Sequence, residues 1–149
     1  LLLVLAGKTA DEMYDKEIKN YIKEHMLENH VLLTGNLSRD DLRDLYAASD
    51  VGLYPVGEQG GWLSPFEHLC SAKPVIVSEN LGAASLFKRF NLGIITRDYT
   101  KGILDCYHNK EKYEQLADEA RDFVKKNLGW DVFADKMIEE FKRAWKKYS

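Results

Sequence analysis

A chain of 149 residues with 45% hydrophobic content is long enough to bury one ordinary domain core without disulfide or metal staples. Its 21 Lys and Arg against 24 Asp and Glu leave a formal charge of -3, which excludes a global positive field for nucleic acid or an anionic membrane. Cys70 and Cys106 stand far apart with no CxxC or Cys/His cluster. That is the pattern of two reduced, mostly buried thiols in a cytosolic setting, and it implies no metal site.

The chain opens on "LLLVLA" (1–6), too short to span a bilayer and without the basic region of a signal peptide, so it reads as a buried strand. A start inside a strand, without Met, suggests a piece of something longer. Next, Tyr14, Ile18, Tyr21, Ile22 and His25 recur at helical spacing on one face. "VLLTG" (31–35) reads as a strand, and Ser38 with Asp41 three residues on resembles a capping box for a helix carrying Leu42, Leu45 and Tyr46. "VGLYP" (51–55), "PVIVS" (74–78) and "LGIIT" (92–96) are further short strands, with helices around 64–72 and 82–89. Two longer helices close the chain, one through Tyr113, Ala117, Ala120 and Val124, the other through Phe133, Met137, Phe141 and Trp145. They break at 127–130, and Phe141 and Trp145 are expected to face a core. Wholly apolar strands alternating with helices predict an α/β class, a doubly wound, Rossmann-like parallel sheet, with no domain boundary inside 1–149.

Ligands of such sheets sit at the carboxyl ends of the strands, so the strand-to-helix loops carry the chemistry. The loop at Gly7 lacks the three glycines of a dinucleotide fingerprint, the string GxxxxGK[ST] is absent, and the first strand ends without the carboxylates a receiver-like Mg²⁺ site needs. What remains is "PVGEQGGWLS" (55–64), longer than a typical connection in such units. Gly60 and Gly61 permit close backbone approach, and the following helix turns free N–H groups toward the same place, an arrangement suited to phosphate. Glu67, about one turn into that helix, could accept hydrogen bonds from a vicinal diol such as a ribose. The expected ligand is a nucleotide diphosphate, with or without a sugar. "SPFE" (64–67) is also a capping box with Pro at the first helical position, so Glu67 reads equally as reaching back to the Ser64 N–H. His68 reads as a packed or rim histidine, and His25, His30 and His108 as surface residues.

The string "DVGLYPVGEQGGWLSPFEHLCSAKPVIV" (50–77) resembles, without a gap, the donor-binding signature of retaining GT-B glycosyltransferases of the family 4 (group 1) type. "VLLTGNLSRDDLRDLYAASD" and "FVKKNLGWDVFADKMIEEF" are similar to the flanking parts of the same family, so the likeness covers nearly the whole chain. The resemblance implies the C-terminal, donor-binding half of a GT-B fold. It implies that Glu67 meets the ribose hydroxyls and that Gln59 meets hydroxyls of the donor sugar. The backbone of Gly60, Gly61, Trp62 and Leu63 would meet sugar and phosphate, and Gly35, Asn36 and Leu37 would lie against the base.

Departures from the family pattern matter. Gln59 stands where Glu is usual and supplies no negative charge, so Glu58 is a second candidate for the catalytic position. His68 stands where Ala is usual, Gly61 and Trp62 replace a Phe-Gly pair, and Ala72 replaces a glycine. The family's phosphate-binding Arg and Lys would precede Leu1, and no Lys or Arg occurs between Asp44 and Ala72 to replace them. Losing two charge-assisted bonds at roughly 1.5–3 kcal/mol each would make this segment alone a poor donor binder.

The expectation is therefore transfer of a sugar from a nucleotide-diphosphate donor with retained configuration, without a metal cofactor. The acceptor, a glycan or lipid-linked glycan, would be held by a missing N-terminal domain. The protein is expected in the cytoplasm, with any membrane contact made through that domain. The alternatives are a nucleotide-sugar epimerase of the same fold and a non-catalytic interaction module.

Overall fold

A computed structural model describes residues 1–9, 11–57 and 63–148. The chain divides into two compact units, Leu1–Leu45 and Tyr46–Ser149. In the first, β1 (Leu3–Ala6) pairs in parallel with β2 (Val31–Gly35), joined through α1 (Glu12–Glu24). Asp11 caps α1, its carboxylate accepting from the N–H groups of Met13 (2.8 Å) and Tyr14 (3.3 Å). That satisfies two of the donors a helix start leaves unpaired. Ser38 caps the next helix as expected: its Oγ accepts from the Asp41 N–H at 3.1 Å, and it donates to Asp41 Oδ2 at 2.6 Å. It starts α2 (Arg39–Ala48), within which the division between the units falls.

The second unit holds a three-stranded parallel sheet in the order β3 (Gly52–Tyr54), β4 (Val75–Val77), β5 (Ile94–Ile95). The connections are α3 (Leu63–Leu69) and α4 (Ala84–Phe90), followed by α5 (Tyr99–His108), α6 (Lys110–Asn127) and α7 (Trp130–Tyr148). β4 lies between two neighbours, and Val75, Ile76 and Val77 are all fully buried, which is why this strand is apolar on both faces. Phe66, Leu69, Phe87, Leu92, Ala120 and Val124 pack with Val75 and Val77 into the core, with the Phe66 and Phe87 rings 5.4 Å apart. The expected parallel α/β alternation is therefore present, with one parallel sheet in each unit.

Four local expectations are corrected. The opening strand is not buried: Leu1, Leu2, Leu3 and Leu5 are exposed, because β1 pairs with β2 alone. The thiols are not mostly buried either, since Cys70 is exposed and Cys106 half-buried. Phe141 and Trp145 keep their helical spacing on α7 but are 66% and 77% exposed, so they do not face a core in this chain. Finally, the expected order of elements has no helix between the strand at 92–96 and the helix through Tyr113, and α5 fills that place. Thr100 and Gly102 weaken its propensity, yet the Asp98 carboxylate caps it by accepting from the Lys101 N–H at 2.9 Å. Gly102 is buried there because a Cβ would press to 3.3 Å from Ile76.

The turn after α3 explains one departure from the family pattern. Ala72, where glycine is usual, adopts φ 55° and donates its N–H to the Leu69 carbonyl at 3.0 Å. A left-handed backbone costs a residue with a Cβ about 1–2 kcal/mol, part of which a glycine returns through its freer unfolded chain. Ala72→Gly should therefore raise stability by about 0.5–1 kcal/mol. A urea midpoint that stays unchanged or falls would show that the strain is relieved elsewhere.

Candidate functional site

Glu58, Gln59, Gly60, Gly61 and Trp62 lie outside the described residues. The described part of the predicted site falls into two groups, one in each unit. In the second unit, Leu63 is the first residue of α3 and exposed, and Glu67 stands exposed on the same helix. Ser64 lies inside α3, which starts at Leu63, and so does not occupy the N-cap place that a capping box requires. The carboxylate is thus directed away from the core, unlike Pro65, Phe66, His68 and Leu69 of the same helix, which are all buried.

In the first unit, Gly35 ends β2 with φ 64°, a left-handed turn that suits glycine. Asn36 is exposed and Leu37 half-buried on the connection to α2. Gly35 lines a cleft of about 380 Å³ with Gly7, Thr9, Asp15 and Lys19, among others, at the carboxyl ends of β1 and β2. That volume lies within the range of small-molecule sites. Lys19 Nζ is 2.6 Å from Asp15 Oδ2, and Thr9 Oγ1 donates to Asp15 Oδ1 at 3.2 Å. The Lys19 contact holds the Asp15 carboxyl below its ordinary range. Thr9, Asp15 and Lys19 were missed by sequence reasoning. Asp15 and Lys19 are an ordinary i, i+4 surface pair in sequence, and only the fold turns them toward a cleft.

Behind Glu67 sits a second feature the sequence did not expose. His68 is only 4% exposed. Its ring stacks on Tyr46 with centroids 4.5 Å apart and meets Tyr54 edge-on at 6.0 Å. Nε2 lies 2.8 Å from Ser49 Oγ, and Nδ1 lies 3.0 Å from Tyr54 Oη. Each hydroxyl oxygen also lies near a carbonyl: Ser49 Oγ is 2.9 Å from Tyr46 O, and Tyr54 Oη is 3.1 Å from Ser64 O. The ring has room only because residue 52 is glycine, since a Cβ there would lie 2.3 Å from Nδ1.

Burial, followed by the positive charge of Lys73, pushes His68 down to about 4. Burial, followed by the Glu67 charge, pushes the Tyr46 hydroxyl up. Tyr54 is also pushed up, by burial first and then by Tyr46. At neutral pH the cluster is thus an uncharged platform beside an exposed carboxylate. Burial raises both thiols as well, Cys106 to about 11, so neither is primed as a nucleophile. Among the described residues, no group of three or more His, Cys, Asp or Glu is placed to hold a metal ion. Among the described residues, no helix is long and apolar enough to cross a membrane.

Comparison with known proteins places this geometry. Residues 1–123 match the family model for glycosyl transferases group 1. An uncharacterized glycosyltransferase of Methanocaldococcus jannaschii is 23% identical over 154 residues, covering 99% of this chain and 37% of that protein. HepE of Anabaena in complex with UDP superposes with a TM-score of 0.86 at 21% identity, over 96% of this chain and 41% of that one. Sucrose-phosphate synthase of Thermosynechococcus elongatus gives 0.83 at 19% identity, over 97% and 39%. The structural likenesses establish the GT-B type of α/β fold. The chain spans 37–41% of the length of these relatives.

Two outcomes follow from the buried imidazole. Its folded value of about 4 lies below the ordinary 6.5, so between those values the unfolded chain binds the extra proton. The contribution is fully present above pH 6.5 and is lost as pH falls toward 4, by about 3 kcal/mol across the window. His68→Gln should flatten this part of the stability-versus-pH curve relative to the parent, and parallel curves would contradict it. Gly52→Ala should destabilise by about 1–3 kcal/mol by overpacking against the ring, read from the denaturant midpoint.

Proposed function

Because this chain belongs to the glycosyl transferases of group 1, we propose that it supplies the donor-binding half of an enzyme that transfers a sugar from a nucleotide diphosphate to an acceptor. The anomeric configuration is retained in this reading. The observation that carries it is Glu67, an exposed carboxylate between the buried Phe66 and His68 on a helix anchored in the core, at the position that resembles the family's ribose-binding glutamate. The likeness of the fold to HepE, solved both with UDP and with UDP-glucose, supports the same ligand class.

In the proposed site, Glu67 accepts two hydrogen bonds from the ribose diol. Backbone N–H groups of Gly60, Gly61, Trp62 and Leu63 meet the sugar and the diphosphate, donating hydrogen bonds where charge develops on the leaving phosphate. Gln59 bonds the donor sugar hydroxyls, and Glu58 supplies the negative charge that Gln59 lacks. Gly35, Asn36 and Leu37 face the base. We assign no metal to the reaction. The acceptor, a glycan or lipid-linked glycan, belongs to a separate N-terminal domain, and the Arg and Lys for the diphosphate come from a strand and loop that precede Leu1.

The test is thermal denaturation of the intact protein with UDP-, GDP- and ADP-sugars in parallel, followed by donor consumption in the presence of acceptor. One donor should raise the melting temperature. Glu67→Ala should weaken that donor roughly 10- to 100-fold, the loss of about 1.5–3 kcal/mol of charge-assisted bonding. Silence from every nucleotide sugar would turn the reading toward a non-catalytic module.

A further inference from the structure

The donor-site helix of this chain is short and polar-anchored in a way the family pattern does not prescribe. α3 has seven residues, too few to stabilise itself, so its direction is set by what it packs against. Apolar burial of Phe66 and Leu69 holds it to the core, but apolar contact is non-directional and leaves a helix free to rotate or slide by a fraction of an ångström. One cluster supplies directional bonds. His68 adjoins Glu67 in sequence, and its Nδ1 meets the Tyr54 hydroxyl. That hydroxyl is also bonded to the carbonyl of Ser64, three residues before Glu67. One phenol at the end of β3 therefore grips α3 at two points that bracket Glu67 in sequence. On the other edge of the ring, Ser49 fixes Nε2 at 2.8 Å, and Tyr46 covers one face. Gly52 is matched to this arrangement, since any side chain there would collide with the imidazole.

We propose that His68, acting through Tyr54 and Ser49, is a positioning residue that fixes α3 against β3 and thereby aims the Glu67 carboxylate at the donor. The proposal rests on the donor-binding reading given above. His68 does not touch the ligand in it; the ring acts by narrowing the directions Glu67 can take, and misplacement of such a group by about 1 Å is enough to cost one to two powers of ten in binding or rate. Burial, which keeps the ring neutral at physiological pH, supports the same role.

The experiment uses the intact protein with the nucleotide sugar that raises its melting temperature. Donor affinity, the KM for each substrate and the melting temperature are measured for Tyr54→Phe, His68→Ala, their double variant, His68→Asn and Glu67→Ala. Tyr54→Phe, which removes one oxygen, should weaken donor binding about tenfold with the acceptor KM unmoved. His68→Ala should do the same, and the double variant should be no worse than the weaker single, because both cut one chain of bonds. His68→Asn, whose amide can occupy the place of Nδ1, should recover much of the affinity. A merely structural role would lower the melting temperature in Tyr54→Phe while donor affinity stayed within twofold of the parent. That result, alongside a weakened Glu67→Ala, overturns this inference and leaves the donor site standing. If Glu67→Ala binds like the parent, the donor reading itself falls and takes this inference with it. Should His68→Ala fail to fold, Tyr54→Phe and His68→Asn decide the matter.

Discussion

A neutral imidazole wedged between a short helix and the strand before it is the constraint on which the second unit of this chain depends. α3 is two turns long and carries one exposed carboxylate, Glu67, among buried neighbours. Nothing intrinsic to seven residues holds such a helix in place. The ring of His68 does so by touching Tyr46, Ser49, Gly52 and Tyr54, which come from the preceding helix, the connection after it and the strand. An apolar side chain of similar size could fill the volume but could not bond in two fixed directions.

Much of the fold was legible because its signals are local. β4 is apolar on both faces since it is the middle strand, and Ser38 caps its helix as expected because a cap needs only its own turn. Signals that depend on distant partners were harder to read. The apolar stripe of α7 and the leucines of β1 announce burial, but burial is a property of neighbours, and in this chain those side chains meet solvent. The α5 helix was hidden for the opposite reason: its composition is unfavourable, and a cap at Asp98 with the close seat of Gly102 on Ile76 overrides it.

The family was legible in the same way. Spaced positions from Asp50 to Val77 resemble its donor-binding signature, and residues 1–123 match its family model. Sequence alone treated His68 as filler and Gly52 as one of several apolar strand residues. Their link is a matter of volume, visible only when the missing Cβ and the ring are seen to claim the same space. The ion-paired Asp15 and Lys19 in the Gly35 cleft were overlooked because i, i+4 pairs decorate most exposed helices.

The hydroxyls on either side of His68 have a consequence of their own. A neutral ring carries one hydrogen, and Ser49 and Tyr54 can each give or take. With that hydrogen on Nδ1 the row runs one way: Ser49 gives its hydrogen to Nε2, Nδ1 gives its own to Tyr54, and Tyr54 donates to the Ser64 carbonyl. The backbone at the head of α3 is thus the last station of a directed relay that starts outside the helix.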